Sequence, residues 1–390
     1  MPALSLRSGA PLVFSPLILI GLLGAAWWLA TQEGEGRLLS FWALAGIFFG
    51  IILQRSRFCF YCIANDFFSW RDARGLVGIL VALAIGTIGY HAVFGAFQPV
   101  PVAGRIPPGA HIGPVSWVLP LASLVFGLGM AISGSCVSAH LYRLGEGSIA
   151  SIFALLGTGL GFVLGFASWN FFYLRAIQEA PVLWLPAHLG YGGSLLLQLF
   201  LIGALLTCLL RYRWPPGPHT RWPLRAIFTE RWPVYIGGLL IGALGTVVYF
   251  RSGALGVTAE LGSVARTTAD KFHLLPERLE GLDSFAGCAT VVKETLLSKN
   301  GVFVLGLIGG AFAAALAAGQ FQPRWPDLKT LVRNFGGGIL LGWGAMLALG
   351  CTVGTLLSGI MAAAASGWIF AFFCLAGAWL GWRLRRHFRF

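Results

Sequence analysis

Charge is what this sequence has least of. Only 11% of its 390 residues are Asp, Glu, Lys or Arg, against roughly 25% in soluble domains, which excludes a water-soluble globular chain. Acidic residues are the scarcer sign, 14 against 27 Lys and Arg. Carboxylate pairs at helical spacing, the usual equipment for acid–base chemistry, are correspondingly rare. Four methionines and seven scattered histidines leave no ligand set for a soft metal ion. No lysine-bearing glycine loop for cradling phosphates is present, and no second Cys-x-x-Cys follows Cys59-x-x-Cys62. With no bond-making constellation visible, the sequence reads as a non-enzyme without a metal centre or cofactor.

What remains is apolar. Hydrophobic residues make up 57% of the chain, and runs such as Pro11 to Ala30, Gly75 to Phe97, Ile149 to Tyr173, Gly190 to Leu210 and Val302 to Gln320 approach or exceed the ~20 residues that span a bilayer. The expected fold class is an all-α polytopic membrane protein. The first run follows only Arg7 and is longer than a signal-peptide core, so a retained helix is expected. The net charge of +13 does not point to nucleic acid, because the basic residues cluster in connectors between apolar runs.

Those connectors set the topology. Stretch 211–233 holds Arg211, Arg213, Arg221, Arg225 and Arg231; stretch 55–74 holds Arg55, Arg57, Arg71 and Arg74; stretch 321–334 holds Arg324, Lys329 and Arg333; the tail ends in Arg383, Arg385, Arg386 and Arg389. All read as cytoplasmic under the positive-inside rule, in a bacterial inner membrane with both termini inside. Stretches 31–38 and 98–115 read as external. The division predicted is an extra helix over 1–38, a first half over 39–210, a basic linker over 211–233, and a second half over 234–390 with an external connector at 265–301.

Two apolar units, 116–148 and 335–364, are too long for single straight helices. Each is interrupted by a glycine–cysteine phrase, Ser-Gly-Ser-Cys at 133–136 and Leu-Gly-Cys-Thr at 349–352. Non-helical backbone at membrane depth is tolerated only beside a cavity. At the spacing that carries Cys136 onto Cys351, Gly127 falls on Gly342, Gly129 on Gly344 and Leu141 on Leu356; at the spacing that carries Arg55 onto Arg251, Gly46 falls on Gly242 and Ser56 on Ser252. An odd number of crossings separates matched elements, so the halves are expected to be inverted repeats, with broken or re-entrant short helices meeting at a midplane site.

A helix restarting after Cys136 or Cys351 leaves free N–H groups that attract anions. Gly134 and Gly350 let backbone approach a ligand, and Ser135 and Thr352 add hydroxyls. A thiol is a soft, weak donor that suits a sulfur-bearing anion better than a hard phosphate. The phrase Gln-Arg-Ser-Arg-Phe-Cys at 54–59 brings Cys59 beside Arg57, an anion-exit residue or an inside-positive anchor. Cys59-x-x-Cys62 also permits redox chemistry.

At these phrases the chain resembles the YeeE/YedE family of sulfur-compound transporters. QRSRFCF at 54–60, GLGMAISGSCVSAHLYRLGEGS from 127 and GWGAMLALGCTVGTLLSG from 342 carry the resemblance, which covers roughly 39–175 and 235–383. It implies an hourglass of inverted halves whose pore cysteines contact thiosulfate in succession, here Cys59, Cys136 and Cys351. It also implies a separate cytoplasmic sulfur carrier of the TusA type. Extra helix 11–30, Cys62 and Cys288 are not placed by the resemblance, and some relatives are associated with selenium. The expectation is uptake of a small sulfur anion, thiosulfate first, entering past Cys288; the alternatives are another sulfur or selenium species, or a thiol–disulfide oxidoreductase using Cys59 and Cys62.

Overall fold

A computed structural model describes residues 10–212, 228–276, 278–282 and 298–388. Apolar runs with little charge satisfy their backbone internally as helices, the economical solution in a bilayer. In chain order these are α1 (Ala10–Ala30), α2 (Gly36–Ser56), α3 (Phe60–Trp70), α4 (Arg74–Phe97), α5 (Val118–Ser133), α6 (Val137–Gly145), α7 (Ile149–Phe172) and α8 (Leu185–Leu209). After them come α9 (Val234–Arg251), α10 (Thr258–Lys271), α11 (Lys299–Ala317), α12 (Leu328–Leu347), a π-helical turn α13 (Thr352–Ser358) and α14 (Ala365–Phe388). Among the described residues there is no strand, only isolated bridges. Among the described residues, eight helical segments are long and apolar enough to cross a membrane, and the pair α12/α13, bent by 44°, makes a ninth.

Both predicted breaks are present. Helix α5 ends at Gly134, whose φ of 84° puts it in the left-handed conformation that glycine adopts without strain; after Cys136, α6 starts. Helix α12 ends before Cys351, and the chain resumes as α13. Two further breaks went unseen in the sequence. Residues 55–74, read as a basic cytoplasmic connector, instead fold from Phe60 into α3, with Phe58, Phe60, Tyr61 and Ile63 buried. Helix α10 likewise follows α9 after a short turn and occupies the start of the connector expected at 265–301.

The packing has a regular pattern. Helix α2 packs on α11 as α9 packs on α4; α7 packs on α12 as α14 packs on α5; α6 meets α11 as α13 meets α4; α10 touches α7 as α3 touches α14; α1 lies on α11 as α8 lies on α4. Exchanging α1–α7 with α8–α14 therefore carries these packed pairs onto packed pairs. The crossings are close because small residues line them. On α7 and α12, a Cβ at Gly157 would collide with the Phe335 carbonyl oxygen, and one at Gly342 with that of Thr158.

Candidate substrate-transport site

Three of the four breaks begin with a cysteine. Cys59, at φ −126° and ψ 117°, precedes α3; Cys136, at −78° and 167°, precedes α6; Cys351, at −126° and −168°, precedes α13. Extended backbone at each position turns the chain into a new helix and leaves first-turn N–H groups unpaired within it. All three thiols are fully buried.

The structure brings two of them together. The Cys136 and Cys59 sulfurs are 4.0 Å apart, and Cys136 Sγ is 3.2 Å from Ser138 Oγ. Cys62 joins them: its sulfur is 2.8 Å from Cys59 Sγ, and its N–H donates to the same sulfur at 3.3 Å. Arg143 Nη2 donates to Cys62 Sγ at 3.2 Å. Cys351 belongs to the other break, where the Thr258 side chain and the N–H groups of Val353 and Gly354 interact with its sulfur. Thr258 opens α10, so both unforeseen short helices take part.

The remaining sequence-derived residues divide. Thr352 Oγ1 is buried and has no hydrogen-bond partner, a costly arrangement that a ligand would relieve. Gly134 lines a large cavity with Arg57. Ser135 Oγ donates to the neighbouring Gly134 carbonyl at 2.7 Å, a local turn contact. Gly350 packs against Thr355, whose Oγ1 a Cβ there would strike. Cys288 lies outside the described residues.

That cavity, of about 1330 Å³, is lined by Cys62 and by Arg57, Arg74, Arg143, Arg231, Arg333 and Arg385, against Asp66, Asp72 and Glu146. Arg74 is engaged by Asp72 at 2.6 Å, a contact that holds the Asp72 carboxyl below its usual range. Burial and the nearby Arg57 charge lower the Arg231 pKa, the behaviour of cations gathered without enough counter-charge. Sequence reasoning gave Arg74, Arg231, Arg333 and Arg385 to topology, as loop and tail arginines, and gave Arg143 no role, so it missed all five as cavity residues. Arg143 did carry a signal: it lies two helical turns beyond Cys136, on the same face.

A void of about 10 Å³ lies among His111, Ser116, Leu349, Thr355 and Ser366, room for one water and no anion. His111, from the loop between α4 and α5, is buried beside Gly354 and Gly256. Burial pushes its pKa down to about 4, so the ring is neutral at pH 7.

A profile described as sulphur transport matches residues 55–380, a stretch that contains all four breaks and the cavity arginines other than Arg385. The chain belongs to this sulphur-transport family. Over 355 residues it is 29% identical to the thiosulfate transporter TsuA of Spirochaeta thermophila, covering 88% of this chain and 98% of that protein. Over 349 residues it is 26% identical to the thiosulfate transporter TsuA of Escherichia coli, covering 86% and 91%. A shorter likeness, 39% over 85 residues, joins it to the probable transporter YedE of Salmonella typhimurium, covering 22% of this chain and 21% of that protein. The sulphur-transport match begins at Arg55, so α1 lies outside it. The three buried thiols and five of the six cavity arginines lie within the matched stretch.

Proposed function

We propose that this chain carries thiosulfate across a bacterial inner membrane into the cytoplasm. The observation that supports this best is the line of buried thiols, each at the start of a broken helix, leading to a cavity rich in arginine. Thiosulfate has a soft terminal sulfur and a hard, charged sulfonate end. Thiols and free N–H groups match the first, and guanidinium groups match the second.

In this reading the anion passes the narrow void beside His111, meets Cys351 with the unpaired Thr352 hydroxyl, then Cys136 and Cys59, and leaves through the cavity past Arg57. The arginine-rich end is cytoplasmic by the positive-inside rule, as are both termini. The halves are read as inverted repeats, a reading supported by the exchange of packed pairs, in which α1 corresponds to α8. A cytoplasmic TusA-like sulfur carrier is the partner expected at the cavity mouth. Cys288 is assigned an entrance role on sequence alone.

The test is uptake by vesicles containing the purified chain, offered labelled thiosulfate against sulfate, sulfite and selenite. Uptake competed by unlabelled thiosulfate but not by sulfate supports recognition of the terminal sulfur; equal competition by sulfate rejects it. The 2.8 Å contact between Cys59 and Cys62 favours a second reading, a membrane thiol–disulfide oxidoreductase. Thiosulfate uptake with neither electron donor nor acceptor present excludes redox relay as the basis of transport.

A further inference from the structure

We propose that Cys62 is a sulfane-sulfur acceptor, a nucleophilic thiol that splits the sulfur–sulfur bond of thiosulfate at the wall of the cavity and retains the terminal sulfur as a persulfide. The proposal deepens the thiosulfate reading and rests on it. Its ground is the environment of Cys62, which differs from that of the other thiols. Cys59, Cys136 and Cys351 are fully enclosed, whereas Cys62 is only partly buried and lines the large cavity. Its sulfur is held from two sides, by Cys59 Sγ at 2.8 Å and by Arg143 Nη2 at 3.2 Å.

That geometry is equipment for a nucleophile. A guanidinium within hydrogen-bonding reach supplies counter-charge to a thiolate, the reactive form of cysteine. Cys62 also sits in the first turn of α3, where partial positive charge from the free N–H groups favours an anion. Arg143 is placed by α6, the helix that begins at Cys136, so the element presenting one thiol also positions the charge for another.

The step balances without an external oxidant. The Cys62 thiol first gives its proton to solvent in the cavity. The thiolate pair then attacks the terminal sulfur of thiosulfate, forming a sulfur–sulfur bond to Cys62. The original sulfur–sulfur bond breaks with both its electrons on the departing group, sulfite dianion. Arg57, Arg231 and Arg333 line the volume into which sulfite departs. A low-molecular-weight thiolate then attacks the outer sulfur of the Cys62 persulfide, takes that sulfur as its own persulfide, and returns Cys62 as thiolate.

The experiment uses the full-length chain in detergent and in vesicles, with thiosulfate radiolabelled at the terminal sulfur. The wild-type chain should release sulfite and hold label that dithiothreitol removes, and the peptide containing Cys62 should gain the mass of one sulfur atom. Label should vanish in Cys62→Ser. Arg143→Gln should slow labelling by about a hundredfold, the loss typical when one preorganised donor to a reacting atom is removed. The wild-type mass measurement guards against a variant that misfolds. Vesicles that take up thiosulfate while wild-type Cys62 gains no sulfur would overturn this proposal and leave transport standing. Label that persists in Cys62→Ser would overturn it as well. Labelled Cys62 in a chain whose vesicles take up nothing would support the thiol chemistry and sink the transport reading.

Discussion

Thr352 carries an unusual burden for a threonine. Its hydroxyl is buried without a partner, which costs about 1–3 kcal/mol. Thr352→Val keeps the shape and removes the group, so the empty protein should melt at a higher temperature than the wild type. If the hydroxyl donates to the transported anion, the same change should raise the KM for thiosulfate by about tenfold or more. Thermal melts with and without thiosulfate would show the two effects with opposite sign. A variant that melts lower and binds unchanged would place the hydroxyl in a structural role. At Cys136 and Cys351, alanine should leave the fold intact and abolish uptake; undiminished uptake in both variants would reject the thiol pathway.

Among elements, the decisive feature is the broken helix. The interruptions at Gly134 to Cys136 and at Cys351 were legible because glycine, serine and cysteine interrupt long apolar runs. Helices α3 and α10 were not, since α3 is flanked by Arg55, Arg57 and Arg71 and α10 carries Glu260, Arg266 and Lys271, so both resemble solvated connectors. The Cys62–Arg143 contact was also hidden, because it joins elements far apart in sequence. Glycine identity mattered more than the sequence could tell: Gly342 faces the Thr158 carbonyl at a helix crossing. Gly342→Leu should separate α7 from α12 and cost about 3 kcal/mol or more, seen as a lowered melting temperature; an unchanged melt would contradict the close crossing. The loop holding His111 should respond to acid. Its folded pKa of about 4 lies below the unfolded value of 6.5, so the unfolded chain binds the extra proton. Stability is therefore complete above pH 6.5 and falls toward pH 4, by up to about 3 kcal/mol in all. His111→Gln should flatten that part of the melting profile, measured between pH 7 and 4.5.

Across the whole molecule, charge is asymmetric. Arginines converge on one large cavity, while the void beside His111 measures only about 10 Å³. The summed field should draw anions toward that cavity and weaken as salt screens it, with a Debye length of about 8 Å at physiological ionic strength. The KM measured for anions offered from the cavity side should therefore rise with inert salt. Arg231→Gln and Arg333→Gln together should raise it at low salt and flatten its salt dependence; an unchanged dependence would mean that the field does not guide the substrate. Composition made the basic excess plain. It could not say that the arginines share one volume, because they arrive from six separate places in the chain.

The narrow void beside His111 has an energetic consequence for a cell. A bacterial membrane stores work as voltage, and an opening wide enough for a dianion would also discharge that store through chloride and other small ions. Among the described residues, the void beside His111 has room for one water molecule, too little for a hydrated ion. If the transported anion passes that point, the packing around His111 must loosen for each passage, so inert substitutions that tighten it should lower the uptake rate.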